Sequence, residues 1–188
     1  PNDTPLAGRW TPGAAHSGAG VFRPSNGLIY LKNNLTTGFA DYTMVLGIPG
    51  DNGVAGDWTG DGMDSPGVYR PSTITYYLSN QVCNCAVFGD YGFQYGATGD
   101  APVIGDWIGQ GHAGVGLFRQ SNGYTYLKNG LATGFADIPF TYGIAGDVPL
   151  AGHWQIVYPP MPPPENVLVI PTIAPVPTRS APLSGLGD

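Results

Sequence analysis

Arg23, Arg70 and Arg119 recur at intervals of about 48 residues, and Asp41, Asp90 and Asp137 recur at the same interval. Six of the few charged side chains in this chain are therefore tied to one period. An arginine presents a planar fork of donors that suits a carboxylate or a carbonyl. The simplest use of the set is one Arg–carboxylate or Arg–carbonyl contact per repeat, joining adjacent strands by bidentate hydrogen bonds. Cation, carboxylate and a nearby aromatic face are also what a sugar binds, so three equivalent glycan pockets are the rival use.

Nothing else in the chain assembles a reactive constellation. His16, His112 and His153 fall at non-equivalent positions, and no Cys/His/carboxylate group has metal-ligand spacing. No G-x-S-x-G elbow, phosphate-binding loop or H-E-x-x-H segment occurs. None of the 13 acids is singled out as half of a glycosidase pair, and repetition argues against one asymmetric active site. The chain reads as a non-enzyme. Only 11% of residues are charged and the net charge is −6, so no basic patch exists to neutralise phosphates and nucleic acid is not an expected partner. No apolar run reaches membrane-spanning length, which predicts a soluble chain without a transmembrane segment. A start at Pro1 rather than Met is expected of a processed product.

The elements that position these residues are written in the repeat. A small-residue pair leads into a tryptophan four times, as AGRW at Trp10, AGDW at Trp58, IGDW at Trp107 and AGHW at Trp154. Between them GVFRPSNGLIYLKNNLTTGFAD returns as GLFRQSNGYTYLKNGLATGFAD, with a diverged copy beginning GVYRPSTITYYLSN. The chain has 30 glycines and 19 prolines, and those within the repeats fall at fixed places in the period and mark turns rather than disorder. In the second unit a short apolar run to Trp58, then GVYR, TYYLS and AVFGDYGFQYG, read as four short strands, the last carrying Phe88 in the register of Phe39 and Phe135.

The predicted fold is all-β: three repeats of about 48 residues, each a four-stranded antiparallel blade around a pseudo-threefold axis, with a β-trefoil or β-prism as the alternative closure. The β domain spans 1–154, with repeats at about 3–50, 51–99 and 100–146 and the start of a fourth at 147–154. A Pro-rich C-terminal arm covers 155–188. The small pairs before each tryptophan suit a crowded axis. The tryptophans then either wedge between neighbouring sheets or close the core of their own repeat.

The unit around Trp58 resembles the bacterial FG-GAP/VCBS-type extracellular repeats. It matches their pattern at Gly50, Asp51, Gly56, Asp57, Trp58, Gly60, Asp61, Gly62, Asp64, Gly67, Val68, Tyr69, Arg70, Pro71 and Ser72, and the likeness extends over roughly residues 2–154. The resemblance implies propeller-like blades and a secreted or cell-surface location, and no catalytic activity. That family's loop is similar to a D-x-[DN]-x-D-G calcium site, and Asp57, Asp61 and Asp64 are the positions that match. Thr59 stands where a second acid is usual, and the loops RWTPGAAHSG and DWIGQGHAG lack that set of acids. The loop reads either as one weak calcium site or, preferred, as an Asp-Gly turn kept for its backbone geometry, and calcium is expected to be dispensable.

Scarce lysine, abundant Gly, Thr, Tyr and Asn, and glycosylation sequons at Asn2 and Asn34 suit an extracellular surface. Cys83 and Cys85 lie in a two-residue insertion of the second repeat. A local bridge there and free or intermolecular thiols are both open readings.

After the surplus PLAGHW, nine of the 34 residues from 155 to 188 are proline. Such a segment has no core of its own and becomes ordered only against something else. Within it Asn166, Val167, Leu168, Val169 and Ile170 form an apolar pentamer between prolines, suited to adding a strand to an exposed sheet edge. The expected function is an extracellular structural protein that builds a filament or surface layer from copies of itself, each arm docking on the next subunit. The alternative is a glycan-binding or adhesive module on a Pro-rich stalk.

Overall fold

Twelve short strands build three separate antiparallel meanders. The computed structural model describes residues 2–152. Sheet 1 contains β1 (Thr4–Gly8), β2 (Gly18–Arg23), β3 (Leu28–Lys32) and β4 (Tyr42–Val45). Sheet 2 contains β5 (Asn52–Gly56), β6 (Ser65–Arg70), β7 (Thr75–Leu78) and β8 (Tyr91–Gln94). Sheet 3 contains β9 (Asp100–Gly105), β10 (Gly114–Arg119), β11 (Tyr124–Lys128) and β12 (Ile138–Thr141). Each sheet pairs its strands in chain order, and no helix occurs among the described residues. Trp154 and the arm, with its predicted strand Asn166–Ile170, lie outside the described residues.

All three sheets share one register. Arg23 sits opposite Leu28, and Arg119 opposite Tyr124, across turns closed by the amides of Gly27 and Gly123 onto the arginine carbonyls. Those glycines have φ of 72° and 71°, left-handed values that a Cβ disfavours. At the matching position of sheet 2 stands Ile74, with φ of 51°. It is the one non-glycine residue with positive φ among the described residues, and being β-branched it pays for that conformation in strain.

The first strand of each sheet lies beside the first strand of the next, β1 against β5 and β5 against β9. Among the described residues the only strand bridge between sheets joins Val45 to Ala86. No barrel closes among the described strands, which removes the trefoil alternative.

Side chains join the sheets. Trp10, Phe22, Ile29, Leu31 and Met44 of sheet 1 pack with Val68 and Val87 of sheet 2. Trp58, Tyr69, Tyr76, Leu78 and Phe93 of sheet 2 pack in turn with Ala113, Val115 and Leu117 of sheet 3. Trp10 and Trp58 thus wedge between sheets rather than merely closing their own. Equivalent burial of all three tryptophans does not hold, because Trp107 is only half-buried.

The small pair before each tryptophan has a local cause: the indole folds back over its own strand. A Cβ on Gly8 would stand 2.6 Å from the Trp10 ring, and one on Gly105 would stand 2.6 Å from the Trp107 ring. These glycines make room for the ring.

Candidate functional site

The periodic arginines come first. Arg23 donates from Nε and Nη2 to Asp3 at 3.0 and 2.8 Å, Arg70 to Asp51 at 2.9 and 2.9 Å, and Arg119 to Asp100 at 2.8 and 2.9 Å. Each guanidinium also lies over a tyrosine of the third strand, 4.8 Å from the Tyr30 centroid and 4.7 Å from those of Tyr77 and Tyr126. Each acid occupies the position just before or at the start of its sheet's first strand, so the fork ties first strand to second. The hydrogen bond from Arg23 holds the Asp3 carboxyl below its usual range, and the three arginines are raised in return by theirs.

Asp51 and Asp100 are buried, and each also accepts a backbone amide, from Ile48 at 3.0 Å and from Ala97 at 2.9 Å. Sequence reasoning did not pick out Asp3, Asp51 and Asp100 as the partners of the arginines. The signal was present as an acid leading into each first strand, and Asp147 repeats it before PLAG. Fork, ring and carboxylate are thus engaged with one another at all three positions.

Asp41, Asp90 and Asp137 have a different task. Their Oδ2 atoms accept the amides of Asn33, Asn80 and Asn129 at 2.7, 2.7 and 2.8 Å and fasten the base of the loop between third and fourth strands. In two sheets a lysine closes the same loop, Lys32 donating to the Phe39 carbonyl at 3.2 Å and Lys128 to that of Phe135 at 3.3 Å. The loop so held presents Phe39, Phe88 and Phe135 to solvent, 96%, 90% and 93% exposed. These phenylalanines were expected on a strand. They precede it, because the aspartate pins the chain ahead of Tyr42, Tyr91 and Ile138. Three in-register aromatic rings held in water have no packing role in the described unit.

The loop after Trp58 is folded by its own acid. Asp57 Oδ1 accepts the amides of Gly60 and Asp61 at 2.6 and 3.2 Å, and Oδ2 that of Gly62 at 2.7 Å. Asp106 does the same in sheet 3 without the other acids, accepting Gly111 at 2.7 Å and Gln110 at 2.9 Å, and those amides hold its carboxyl below its usual range. Asp61 turns to the Met63 amide. Asp64 reaches sheet 1, accepting the Arg9 amide at 2.8 Å. The three acids of the expected calcium loop therefore do not converge, and among the described residues no group of three His, Cys, Asp or Glu is placed to hold a metal.

Cys83 and Cys85 form a disulfide. The loop it closes covers the outer edge of sheet 1: the Val45 amide donates to the Cys85 carbonyl at 3.1 Å, Val87 donates to Val45 at 2.9 Å, and Asn84 Oδ1 accepts the Thr43 amide at 2.7 Å. Among the described residues no bridge of this kind occurs on β8 or on β12, the outer strands of sheets 2 and 3. The sequon residues Asn2 and Asn34 are exposed.

The remaining feature is a face. Phe140 of sheet 3 is 40% exposed where Phe93 of sheet 2 is 6%, and Tyr142 is 79% exposed where Tyr95 is 6%. Phe118 and Leu127 in the middle of that face stay buried. Beside it the segment Pro149–Ala151 lines an open groove of about 220 Å³ together with Pro5–Ala7, Gly53–Ala55 and Pro102–Ile104, the corresponding runs of the three first strands. Residues 149–151, the PLA of the next repeat, thus share that groove with the three first strands without forming a strand themselves. No helix among the described residues is long and apolar enough to cross a membrane. No protein-family model, curated protein or solved structure matches this chain.

Proposed function

We propose that the chain is a non-enzymatic extracellular structural protein of the FG-GAP/VCBS type, its sheets acting as blades about a common axis, which assembles with copies of itself into a filament or layer. The observation that carries this reading is the partly uncovered face of sheet 3, at positions that sheets 1 and 2 bury against a neighbour. The outer edge of β12, which is unbridged among the described residues, supports the second part, in which Asn166–Ile170 of one subunit adds a strand to the next. Periodic charge holds strands and loops together, which suits a structural protein.

The test is electron microscopy and light scattering of the full chain beside a Val167→Asp/Val169→Asp variant. Polymers from the former and monomers from the latter are expected. Monomers from both would refute the reading.

An adhesive or glycan-binding module is the second reading, favoured by the exposed row of Phe39, Phe88 and Phe135. Glycan-array binding lost on replacing the three rings by Ser, with the chain monomeric throughout, would establish it instead.

A further inference from the structure

The molecule shows twice how one of its sheets covers the next. Leu117 and Val115 of sheet 3 and Val68 of sheet 2 are buried against the preceding sheet, and Pro66 of sheet 2 is buried as well. Their counterparts on sheet 1 are Val21, half-buried, and Ala19, exposed. Leu131 and Val82 are half-buried at the rim, whereas their counterpart Leu35 is 74% exposed. Sheet 1 therefore carries the covering surface with nothing beneath it among the described residues, and sheet 3 carries the surface to be covered.

A backbone bond joins the sheets in the same way at both junctions. Asp64 donates to the Arg9 carbonyl at 2.8 Å and Ala113 to the Asp57 carbonyl at 2.6 Å. The next acceptor in that series is the Asp106 carbonyl, and the donor position on sheet 1 is the Ser17 amide.

Beside sheet 3, residues 149–151 line a groove together with the three first strands, and they belong to DVPLAG at 147–152, which repeats the DTPLAG of residues 3–8 almost unchanged. Asp147 matches Asp3, Asp51 and Asp100, and its Oδ2 accepts the Ile144 amide at 2.9 Å as theirs do at Ile48 and Ala97. What Asp147 lacks, among the described residues, is the arginine that each of the other three holds. β1 is the first strand easiest to replace, since its residues alternate between half-buried and exposed before Gly8.

We propose that sheet 3 of one copy receives sheet 1 of a second, residues 147–152 of the first replacing β1 against β2 of the second, so that Asp147 pairs with Arg23 across the subunit boundary. Exchanging one PLAG strand for another conserves the pairings β1 makes, so burial of the two unmatched faces drives association. The contact is head-to-tail and leaves an open sheet 3 at the growing end. It rests on the self-assembly reading and names the interface.

The experiment uses full-length chains with charges reversed. Asp147→Arg alone, and Arg23→Asp alone, should each need about a hundredfold higher concentration to assemble, the loss expected for a desolvated ion pair turned repulsive. An equimolar mixture should regain assembly, because each variant's strand then meets a complementary sheet. Far-ultraviolet circular dichroism checks the fold, and Asp147 sits on an exposed turn where an arginine is accommodated.

Single variants that assemble like the parent, or a mixture that stays dispersed, would overturn the proposal. If assembly ignores both reversals yet fails in Val167→Asp/Val169→Asp, this interface is wrong while self-assembly stands. A parent chain that stays monomeric at every concentration would remove self-assembly itself. A monomer whose Tyr142 and Phe140 are shielded from labelling would assign that face to the chain's own arm.

Discussion

The junction between sheets 2 and 3 and the far face of sheet 3 are made from the same repeat positions, yet one is a core and the other partly a surface. Trp58, Phe93 and Tyr95 are buried, whereas Trp107 is half-buried and Phe140 and Tyr142 are exposed. Strand pairing, the Arg–Asp fork and the turn before the third strand are present on both sides of the comparison. Burial here belongs to the array, because a sheet supplies half of each core and the neighbour supplies the rest.

The largest effect should separate those two faces. Trp58→Ala is expected to cost about 3–5 kcal/mol, as for any fully buried aromatic, and Trp107→Ala distinctly less, read from denaturant midpoints. Equal losses would mean that the face of sheet 3 is as closed as the junction.

Next comes the fork. Arg70→Ala leaves Asp51 buried and unpaired in the middle sheet and should cost about 3 kcal/mol, while Arg23→Ala exposes an already accessible carboxylate and should cost less. Double-mutant cycles with Asp51→Ala and Asp3→Ala measure the two couplings.

Alkali provides a third contrast, confined to the junction. Burial, with the charge of Asp100 adding to it, pushes the Tyr69 phenol up to about 12. Burial pushes Tyr95 up to about 12 as well, and burial inside the same cluster raises Tyr76 well above the usual phenol value. Above the unfolded pKa of roughly 10, the unfolded chain releases protons that the folded one keeps, so stability is intact below that value and falls as pH rises toward about 12. Thermal melts between these limits, with tyrosinate absorbance recorded in parallel, should show the melting temperature falling as these phenols ionise. Tyr69→Phe should flatten the slope.

The smallest effect is local. Ile74→Gly puts at the turn of sheet 2 the residue that the other two sheets use, and should add about 1 kcal/mol of stability by relieving left-handed strain. No gain would mean that packing of the half-buried isoleucine offsets its backbone cost.

Much of this architecture was legible because tryptophan, glycine and arginine mark the period directly. Four short strands per unit follow from GVFR or GVYR, the turn, the tyrosine-rich third strand and the aromatic fourth. The partners of the arginines were missed because Asp41, Asp90 and Asp137 repeat as faithfully as Asp3, Asp51 and Asp100. Only the register shows which set lies opposite the guanidinium. Phe39, Phe88 and Phe135 misled for a related reason: aromatic residues at a fixed period read as part of the fourth strand, and nothing in composition shows that a pinned loop holds them ahead of it and turns them outward. The unequal burial of Trp10, Trp58 and Trp107 could not be read at all, since the repeats around them are nearly alike and the difference lies in what stands next to each sheet.

The most direct test is amide hydrogen exchange on the full chain over a wide range of protein concentration. The account predicts that protection rises with concentration in β2 and β3 of sheet 1 and in β10 to β12 of sheet 3, while β6 and β7 of sheet 2 are already protected and stay unchanged. Exchange in sheets 1 and 3 that is the same at every concentration would contradict it.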